Sequence, residues 1–443
     1  MIPDYDKHSF GKKLNEVVSP SRPIISIENL IGRTEELDRI EKALFAPGRN
    51  VFIYGERGVG KSSLAATAAN QWQSSDAEYI DVSCSPDSTI KSIVANIASQ
   101  AVDAKWSTSS KITEQASVGM KWLSYSLKSE TSPTDFSSKI KGLSDAVEVL
   151  KEVAALHSEV PVVVVDEVDR ITDEKEIDLL ADLLKQLGDK RIELKFIFTG
   201  VGATLNEILG AHRSAIRQLE TIELPRLSWD ARWDIAIHAL SIFGVEIPRD
   251  IYIRLAAVSD GYPYYVHLIV EKILWLLFEK EEIVNKVTWD DYYSALDKAI
   301  VGITAELSRP YEMAVNQRSR DYEEVLWSTS ADEWQGAYLS DMHAQYESIM
   351  SQIDRKEALS YDKFASRIRN LLKTDYGEIL KKGQKQGYYH YREKMLRGYI
   401  RMQAEANRVE IISKEAEATI KNYMHVPAKN VGYHKSQPPR GFK

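Results

Sequence analysis

Short apolar runs and amphipathic stretches alternate over the first half of the chain. Each apolar run is followed by a stretch in which apolar residues recur at helical spacing. The predicted strands are residues 51–54, 78–83, 161–165 and 194–199, and the predicted helices are 35–45, a helix from Lys61, 89–101, 143–157 and 174–187. The valines at 162–165 are typical of a strand buried on both faces of a parallel sheet. The alternation predicts a doubly wound α/β core.

The second half of the chain has a different pattern. Residues 229–298 are helical throughout, with breaks at Gly244 and Pro248 and again at Gly261 and Pro263. Three further helices are predicted at residues 322–329, 335–353 and 361–372. They precede a hairpin at residues 377–391, whose turn is rich in lysine and glycine. Helices followed by a basic hairpin favour a winged helix-turn-helix.

These patterns predict several domains, as expected for 443 residues. The predicted parts are an N-terminal extension that packs on the next domain (1–28), the α/β core (29–228), a helical lid (229–305), a winged-helix domain (306–410) and a partly disordered basic tail (411–443). Within the core, about residues 103–141 are rich in Ser, Thr and Lys and are interpreted as an insertion, with a hairpin suggested at 118–127.

Composition indicates a soluble protein. The chain is 44% hydrophobic and 28% charged, which is ordinary for a soluble fold. Cys84 is the single cysteine, which excludes an internal disulfide and fits a reducing cytoplasm. The N-terminus shows no apolar segment of the kind found in secretory signals. The most apolar stretch, residues 273–278, is too short to span a bilayer. We therefore expect a cytoplasmic protein with no membrane partner.

A phosphate-binding loop follows the first predicted strand. Residues 55–63 read Gly-Glu-Arg-Gly-Val-Gly-Lys-Ser-Ser, which matches G-x-x-x-x-G-K-[ST] between a strand and a helix. The glycines let several backbone N–H groups point at one phosphate, Lys61 supplies a positive charge, and Ser62 supplies a hard oxygen for Mg²⁺. The loop predicts ATP or ADP with Mg²⁺ as ligands, held by Gly55, Glu56, Arg57, Gly58, Val59, Gly60, Lys61, Ser62 and Ser63.

Polar residues at the ends of two later strands complete this predicted site. Asp166 ends the valine strand and is expected to hold Mg²⁺ through water, while Glu167 is placed to polarise the attacking water. An exposed acidic strand end is the weaker interpretation once the phosphate loop is taken into account. Thr199 ends the next apolar strand, where its hydroxyl could contact the γ-phosphate or orient the water; an ordinary β-branched strand residue is the open alternative.

Two arginines follow the last predicted strand of the core. Arg213 or Arg217 is a candidate arginine finger that acts in trans on the γ-phosphate of a neighbouring subunit, which would couple hydrolysis to self-association. An ordinary surface arginine is the open alternative for each.

Positive charge is concentrated near the C-terminal hairpin, although the whole chain carries a net charge of −8. Residues 361–401 contain eleven basic and four acidic residues. The basic residues are interleaved with Tyr388, Tyr389, His390 and Tyr391. This segment predicts an anionic partner such as duplex DNA, with salt-dependent contacts to phosphate. A solvated basic face remains the alternative.

With these motifs the chain resembles the AAA+/STAND group of P-loop ATPases, close to archaeal and origin-recognition-like initiator ATPases. The resemblance covers roughly residues 28–405 and implies a P-loop NTPase core with a helical lid and a C-terminal winged helix. It implies that Ile31, Gly32 and Arg33 border the adenine and that Thr199 is the first sensor. The segment 259–265 is similar to the Gly-x-Pro lid motif, which implies that Pro263 packs on the nucleotide.

One departure from the initiator pattern affects the expected rate. Initiator ATPases carry an arginine in the lid, the second sensor, near the place where this chain has Pro263 and Tyr264. The resemblance therefore implies a slow ATPase that acts as a switch between ATP and ADP forms.

Two functions follow from these features. The first is a nucleotide-driven, oligomerising ATPase that binds DNA through the winged helix. The second is a STAND-like signalling or anti-phage defence ATPase whose C-terminal domain binds a protein effector, for which the aromatic-rich segment 327–346 is a candidate surface. A small-molecule kinase is disfavoured by the Asp166–Glu167 pair, the lid and the long C-terminal extension.

Overall fold

The computed structural model describes residues 2, 5–73, 77–108, 122, 136–211, 215–317, 321–331, 336–353 and 357–411. The chain divides into two compact units, one of Met1–Pro248 with Ser259–Ala295 and one of Arg249–Val258 with Leu296–Lys443. The segment Arg249–Val258, which the sequence analysis included in the lid, therefore groups with the second unit. The domain boundaries inferred from the sequence remain predictions.

The first unit is built on a five-stranded sheet whose neighbouring strands all run parallel, as the alternating pattern predicted. The strand order is β2-β3-β4-β1-β5, with β1 (Asn50–Tyr54), β2 (Ile80–Ser83), β3 (Val162–Asp166), β4 (Lys195–Gly200) and β5 (Leu219–Glu223). Strand β4 lies between β1 and β3, so the residue that ends β4 stands between the phosphate loop and the β3 carboxylates. The β3 valines are fully buried, as expected for a central parallel strand.

Helices pack on the sheet and continue into the lid. Helix α6 (Glu174–Asp189) shows why these segments are helical: Asp173 caps its first turn, and its buried residues recur every three or four positions. The other helices of the first unit are α1 (Lys7–Val17), α2 (Thr34–Phe45), α3 (Lys61–Trp72), α4 (Ile90–Thr108), α5 (Leu143–Leu156), α7 (Gly202–Ala211), α8 (Ala215–Gln218), α9 (Trp229–Ile242) and α11 (Pro263–Phe278). Helix α10 (Arg249–Val258) belongs to the second unit, and α12 (Trp289–Val301) spans the division between the units.

The N-terminal extension contains a helix that the sequence analysis did not predict. Asp6 caps α1 by accepting hydrogen bonds from the backbone N–H groups of His8 and Ser9. Phe10 of α1 is fully buried and stacks on Phe278 of α11, with ring centroids 4.2 Å apart. The extension was expected to pack on the next domain; α1 packs on α11, and Ile24, later in the extension, is hydrogen-bonded to Ser63 and Thr67 of α3.

The second unit combines helices with a three-stranded antiparallel sheet of order β6-β8-β7. Its hairpin of β7 (Leu380–Lys382) and β8 (Tyr388–Tyr391) lies where the sequence predicted one. The remaining elements are α13 (Ala305–Val315), α14 (Tyr322–Thr329), β6 (Gly336–Tyr338), α15 (Leu339–Gln352), α16 (Tyr361–Asn370) and α17 (Leu396–Ala406).

Strand β6 corrects the helix predicted over residues 335–353, since the helix begins only at Leu339. Ala337 pairs with Tyr389 of β8, which extends the hairpin to three strands. Gly336 allows this close pairing, because a Cβ atom there would lie 2.6 Å from the Tyr389 carbonyl oxygen.

Most aromatic residues that suggested a partner surface are part of the core of the second unit. Trp327 and Tyr346 are buried, and so are Tyr389 and Tyr391 of β8. The Tyr391 hydroxyl forms a hydrogen bond with the buried Thr329 hydroxyl. Trp327 and Tyr346 are therefore not available to a protein effector, whereas Tyr338 of the same segment is 38% exposed. Tyr389 and Tyr391 of the hairpin serve for packing.

Several predictions fall outside the described residues. They are the hairpin at 118–127, most of the insertion at 103–141, the tail beyond residue 411, and Arg213. Within the described residues, no helix has the length and apolar character needed to cross a bilayer.

Candidate nucleotide site

The phosphate loop joins β1 to α3 and depends on glycine conformations. Gly58 and Gly60 adopt positive φ angles of 79° and 99°, and Gly60 is the N-cap residue of α3. Gly55 has no room for a side chain, because a Cβ atom there would lie 2.5 Å from the Leu224 carbonyl oxygen. Loop N–H groups and the N-terminus of a twelve-residue helix together form a site suited to phosphate.

Lys61 lies folded over this loop. Its Nζ donates hydrogen bonds to the carbonyl oxygens of Gly55 at 3.1 Å and Glu56 at 2.8 Å. Burial lowers the pKa of the Lys61 ammonium, and nearby carboxylates, that of Asp169 first, oppose this effect. A phosphate bound at the loop would replace these carbonyl oxygens as the acceptor.

The two serines after Lys61 have different surroundings. Ser62 is half-buried in the first turn of α3 and is the candidate oxygen for Mg²⁺. The Ser63 hydroxyl accepts the backbone N–H of Ile24 at 3.1 Å, and Thr67 donates to the Ile24 carbonyl at 2.8 Å. Ser63 was predicted as a nucleotide contact, and its hydroxyl holds the N-terminal extension against α3.

Arg33 stabilises the loop through hydrogen bonds to backbone carbonyl oxygens. Its guanidinium is 4% exposed and donates to the carbonyl oxygens of Val59 at 3.0 Å and Pro225 at 2.7 Å. Burial lowers the pKa of Arg33, and the Glu36 carboxylate, 3.4 Å from Nη1, opposes this effect. The placement of Arg33 beside the adenine, with Ile31 and Gly32, remains a prediction.

Asp166, Glu167 and Thr199 form one hydrogen-bonded group at the ends of β3 and β4. The Thr199 hydroxyl, which is fully buried, donates to Asp166 Oδ1. The backbone N–H of Glu167 donates to Thr199 Oγ1 at 3.0 Å and to Asp166 Oδ1 at 3.1 Å. Thr199 therefore fixes the position of both acidic residues.

The Glu167 side chain turns outward from this group. Its backbone is left-handed, with φ 57°, and its carboxylate pairs with Arg170 at 3.1 Å. Both side chains are 49% exposed, so the pair is weak and easily exchanged for water. Arg170 was not predicted as a site residue; it ends the short 3₁₀ segment Val168–Arg170 that follows Glu167.

Asp169 is a second residue that the sequence analysis missed. It has the largest charge effect on Lys61 among the neighbouring carboxylates. Its Oδ1 lies 3.5 Å from where a Cβ atom on Gly200 would be, next to Thr199. The signal in the sequence was a third acidic residue in Asp166-Glu-Val-Asp169.

The lid contributes Tyr262 and Pro263 at the start of α11. Pro263 Cγ lies 3.7 Å from the position that a Cβ atom on Gly60 would occupy. Tyr262 is fully buried, and its hydroxyl donates to the Glu56 carboxylate at 2.9 Å. Pro263 was predicted near the nucleotide; Tyr262, the residue before it, was not singled out.

The trans-acting arginine stays a prediction. Arg217 is exposed on the short helix α8, just before β5, and Arg213 lies outside the described residues.

Solved structures of other proteins align with most of this chain. Solved structures with a similar course include the Walker-type ATPase PABY2304 of Pyrococcus abyssi, with 15% identity, a TM-score of 0.46, and coverage of 86% of this chain and 99% of that one. Cdc6p from Pyrobaculum aerophilum has 14% identity and a TM-score of 0.44, with coverage of 89% and 99%. The Aeropyrum pernix ORC1 protein, solved in complex with DNA, has 15% identity and a TM-score of 0.41, with coverage of 88% and 94%.

The family comparison concerns the core alone. No curated protein matches the sequence. The family model described as AAA ATPase domain matches residues 29–197. The matched segment contains the phosphate loop, Asp166 and Glu167, so over these residues the chain is similar to AAA ATPase domains.

Proposed function

We propose that the chain binds ATP and hydrolyses it to drive a conformational switch. The observation that carries this proposal is the arrangement at one edge of the parallel sheet. The phosphate loop follows β1, Thr199 is the second-last residue of the adjacent β4, and Asp166 ends β3 with Glu167 directly after it. Ligands of open α/β sheets bind outside the carboxyl ends of the strands, where these groups lie.

Each residue has a role that its chemistry allows. The loop N–H groups and Lys61 would hold the phosphates, and Glu167 would accept a proton from the attacking water. Mg²⁺ in such sites is held by one or two protein oxygens together with substrate phosphates, and Ser62 and Asp166 supply a set of this size. Bound there, Mg²⁺ would neutralise charge that develops on the phosphate oxygens.

Two contacts of the site would change when nucleotide binds: Glu167 would exchange Arg170 for water, and Lys61 would exchange two carbonyl oxygens for phosphate. Slow turnover is proposed because the lid has Pro263 and Tyr264 near the place where initiator ATPases carry an arginine. The lid, through Pro263, would respond to whether the site holds ATP or ADP. Self-association, with an arginine supplied in trans, would add control by assembly.

Calorimetric titration with ATP, ADP and MgCl₂ tests nucleotide binding. We expect binding by the unaltered protein and none by Lys61→Ala. Lys42→Ala, which removes an exposed lysine of α2, serves as the matched control and should bind normally. Equal affinity of the Lys61→Ala and unaltered proteins would contradict the proposal.

A second proposal concerns duplex DNA and the second unit, which we interpret as a winged helix. It is supported by the order of α14, β6, α15, α16 and the hairpin β7–β8. Eight of the eleven basic residues at 361–401 are exposed: Lys363, Arg369, Lys373, Lys381, Lys382, Lys385, Arg392 and Lys394.

Four arginines of the basic segment have structural contacts that reduce its available charge. Arg367 forms a forked ion pair with Asp321, Arg392 pairs with Glu378, Arg397 is buried, and Arg401 donates to the Ser330 carbonyl. Lys381 and Lys382 on β7 remain as exposed charges of the hairpin.

Binding of duplex DNA across a salt series tests this second proposal. Lys381→Glu with Lys382→Glu should weaken binding and lower the salt slope by about 2. The control changes the same charge in the first unit, Lys42→Glu with Lys175→Glu, and should leave the slope unchanged. Binding that does not depend on salt would argue for the solvated basic face.

The alternative function, STAND-like signalling or anti-phage defence with a protein effector, has less support from the second unit, because Trp327 and Tyr346 are buried. Size-exclusion chromatography with ATP analogues tests whether the protein self-associates when nucleotide binds. Nucleotide-dependent assembly would support the trans arginine, and a monomer under all conditions would contradict it.

A further inference from the structure

Glu56 connects the phosphate-binding lysine to the lid. Its backbone carbonyl accepts a hydrogen bond from Lys61 Nζ at 2.8 Å. Its side-chain Oε2 accepts one from the Tyr262 hydroxyl at 2.9 Å. Glu56 therefore has two contacts. A bound phosphate would replace its carbonyl oxygen as the acceptor for Lys61, and its carboxylate binds Tyr262, the residue just before helix α11.

Tyr262 is a fixed donor in this arrangement. Its side chain is fully buried, and burial, followed by the Glu56 charge, raises the pKa of the phenol. The hydroxyl therefore keeps its proton at neutral pH. Hydrogen bonds to a charged acceptor are stronger than those between neutral groups, so the Tyr262–Glu56 bond holds the carboxylate toward the lid.

The charge of Glu56 makes this bond sensitive to the bound nucleotide. A carboxylate in a phosphate-binding loop has the same sign as the phosphates and is repelled by them. The repulsion is larger for a triphosphate than for a diphosphate, because the triphosphate carries more negative charge. At the same time, Lys61 exchanges the Glu56 carbonyl for a phosphate oxygen, which changes the hydrogen bonding of the Glu56 peptide.

The segment before Tyr262 is shaped for a defined connection. Asp260 and Gly261 both have positive φ angles, of 54° and 80°, and Asp260 forms a 3.0 Å ion pair with Arg226. A Cβ atom on Gly261 would lie 2.9 Å from Arg226 Cβ, so the turn is closely packed. A shift of Tyr262 would therefore reach α11 as a whole instead of being absorbed in a loose loop.

We propose that Tyr262 and Glu56 form a phosphate-counting pair, in which Tyr262 is a positioning residue that couples the number of bound phosphates to helix α11. This rests on the proposed function, because it requires that the site bind nucleoside di- and triphosphates. The pair sets the preference of the site between the two nucleotides. Tyr262 contacts neither nucleotide; it acts through Glu56.

Calorimetric affinities for ADP and a non-hydrolysable ATP analogue, both with Mg²⁺, test the pair. Tyr262→Phe removes the hydroxyl that holds the carboxylate toward the lid, so the carboxylate loses this bond and its charge can shift toward the phosphates. We expect the ratio of the two affinities to shift toward ADP by about tenfold, which corresponds to about 1.4 kcal/mol. Tyr265→Phe, an equally buried tyrosine of the same helix, is the matched control and should leave the ratio unchanged.

A double-mutant cycle with Glu56→Gln separates coupling from a general structural effect. In the Glu56→Gln background, where the charge is absent, Tyr262→Phe should change the ratio by less than about threefold. Equal weakening of both nucleotides by Tyr262→Phe, or full additivity of the two changes, would overturn the pair. Failure of the unaltered protein to bind either nucleotide would instead overturn the proposed function.

Discussion

Thr199 offers a direct test of how the acidic residues are positioned. Its buried hydroxyl donates to Asp166 Oδ1 and accepts the backbone N–H of Glu167 at 3.0 Å. Thr199→Val keeps the shape of the side chain and removes both hydrogen bonds. The perturbation is therefore almost purely polar, and it acts on the groups proposed to hold Mg²⁺ and to activate water.

The size of the effect follows from these contacts. Losing a hydrogen bond to a charged acceptor costs about 1.5–3 kcal/mol. The N–H of Glu167 keeps its 3.1 Å bond to Asp166 Oδ1, so its loss is partial. We expect the free energy of unfolding to fall by about 2–3 kcal/mol. Since small displacements of catalytic groups are costly, we expect kcat to fall on the order of 100-fold.

The assay compares steady-state ATP hydrolysis and nucleotide affinity for Thr199→Val, Thr199→Ser and Thr67→Val. The serine variant keeps the hydroxyl and should retain most of the activity. Thr67→Val removes a buried hydroxyl whose bond is to the Ile24 carbonyl, so it should lower stability by about 1 kcal/mol without changing kcat. A Thr199→Val enzyme with unchanged kcat would refute the positioning role.

Two further predictions concern Glu167 and the lid. Arg170→Ala removes an exposed ion pair of about 0.2–1 kcal/mol, so kcat should rise by up to about fivefold. The control Arg39→Ala removes an arginine of equal exposure that pairs with Glu220, and it should leave kcat unchanged. A drop in kcat for Arg170→Ala would show that Arg170 has another role. Burial lowers the pKa of His267 from 6.5 to about 4, and its Nδ1 has no hydrogen-bond partner among the described residues. Below pH 6.5 the unfolded chain therefore binds a proton at His267, whereas the folded protein does not bind it until about pH 4. The free energy of unfolding should fall on the order of 3 kcal/mol between pH 6.5 and 4. In denaturant titrations His267→Leu should show a smaller decline over this range, and an identical decline would contradict the assignment.

The parallel core was predictable because its signals are local and strong. The valines of β3 and the glycines of the phosphate loop each restrict the chain to one kind of structure. Strand β5 was not predicted, since Leu219–Glu223 is short, half polar and at the sheet edge. It forms because it pairs with β1, with Ile53 opposite Ile222, a contact between distant parts of the chain.

The candidate site was predictable where a local sequence motif indicates a specific ligand. Lys61, Asp166 and Thr199 occupy one edge of the sheet, as the strand ends indicated. Tyr262 was missed because its partner, Glu56, is far away in the sequence. Arg170 was missed although its partner is local, because the left-handed turn at Glu167 that precedes it is not visible in the sequence. The sequence also overstated the basic surface: Arg367 and Arg401 count as charges in a composition, but in the structure they bind Asp321 and a backbone carbonyl.

Helix α1 and strand β6 were missed for a similar reason. Phe10 of α1 is buried because it packs against Phe278 and Trp275 of α11, which are distant in the sequence. Gly336 of β6 lies next to a stretch with strong helical spacing, and pairing with β8 overrides that tendency. In both cases tertiary contacts decide the local structure.

Single-turnover hydrolysis by Glu167→Gln is the most direct test of the proposed ATPase switch. The variant keeps the size of the side chain and removes the base, so it should bind ATP and Mg²⁺ with near-normal affinity and release phosphate at least 100-fold more slowly, on the order expected for a general base. Bound ATP should then be recovered intact after an incubation in which the unaltered protein has converted it to ADP. Hydrolysis by Glu167→Gln at the unaltered rate would contradict the account.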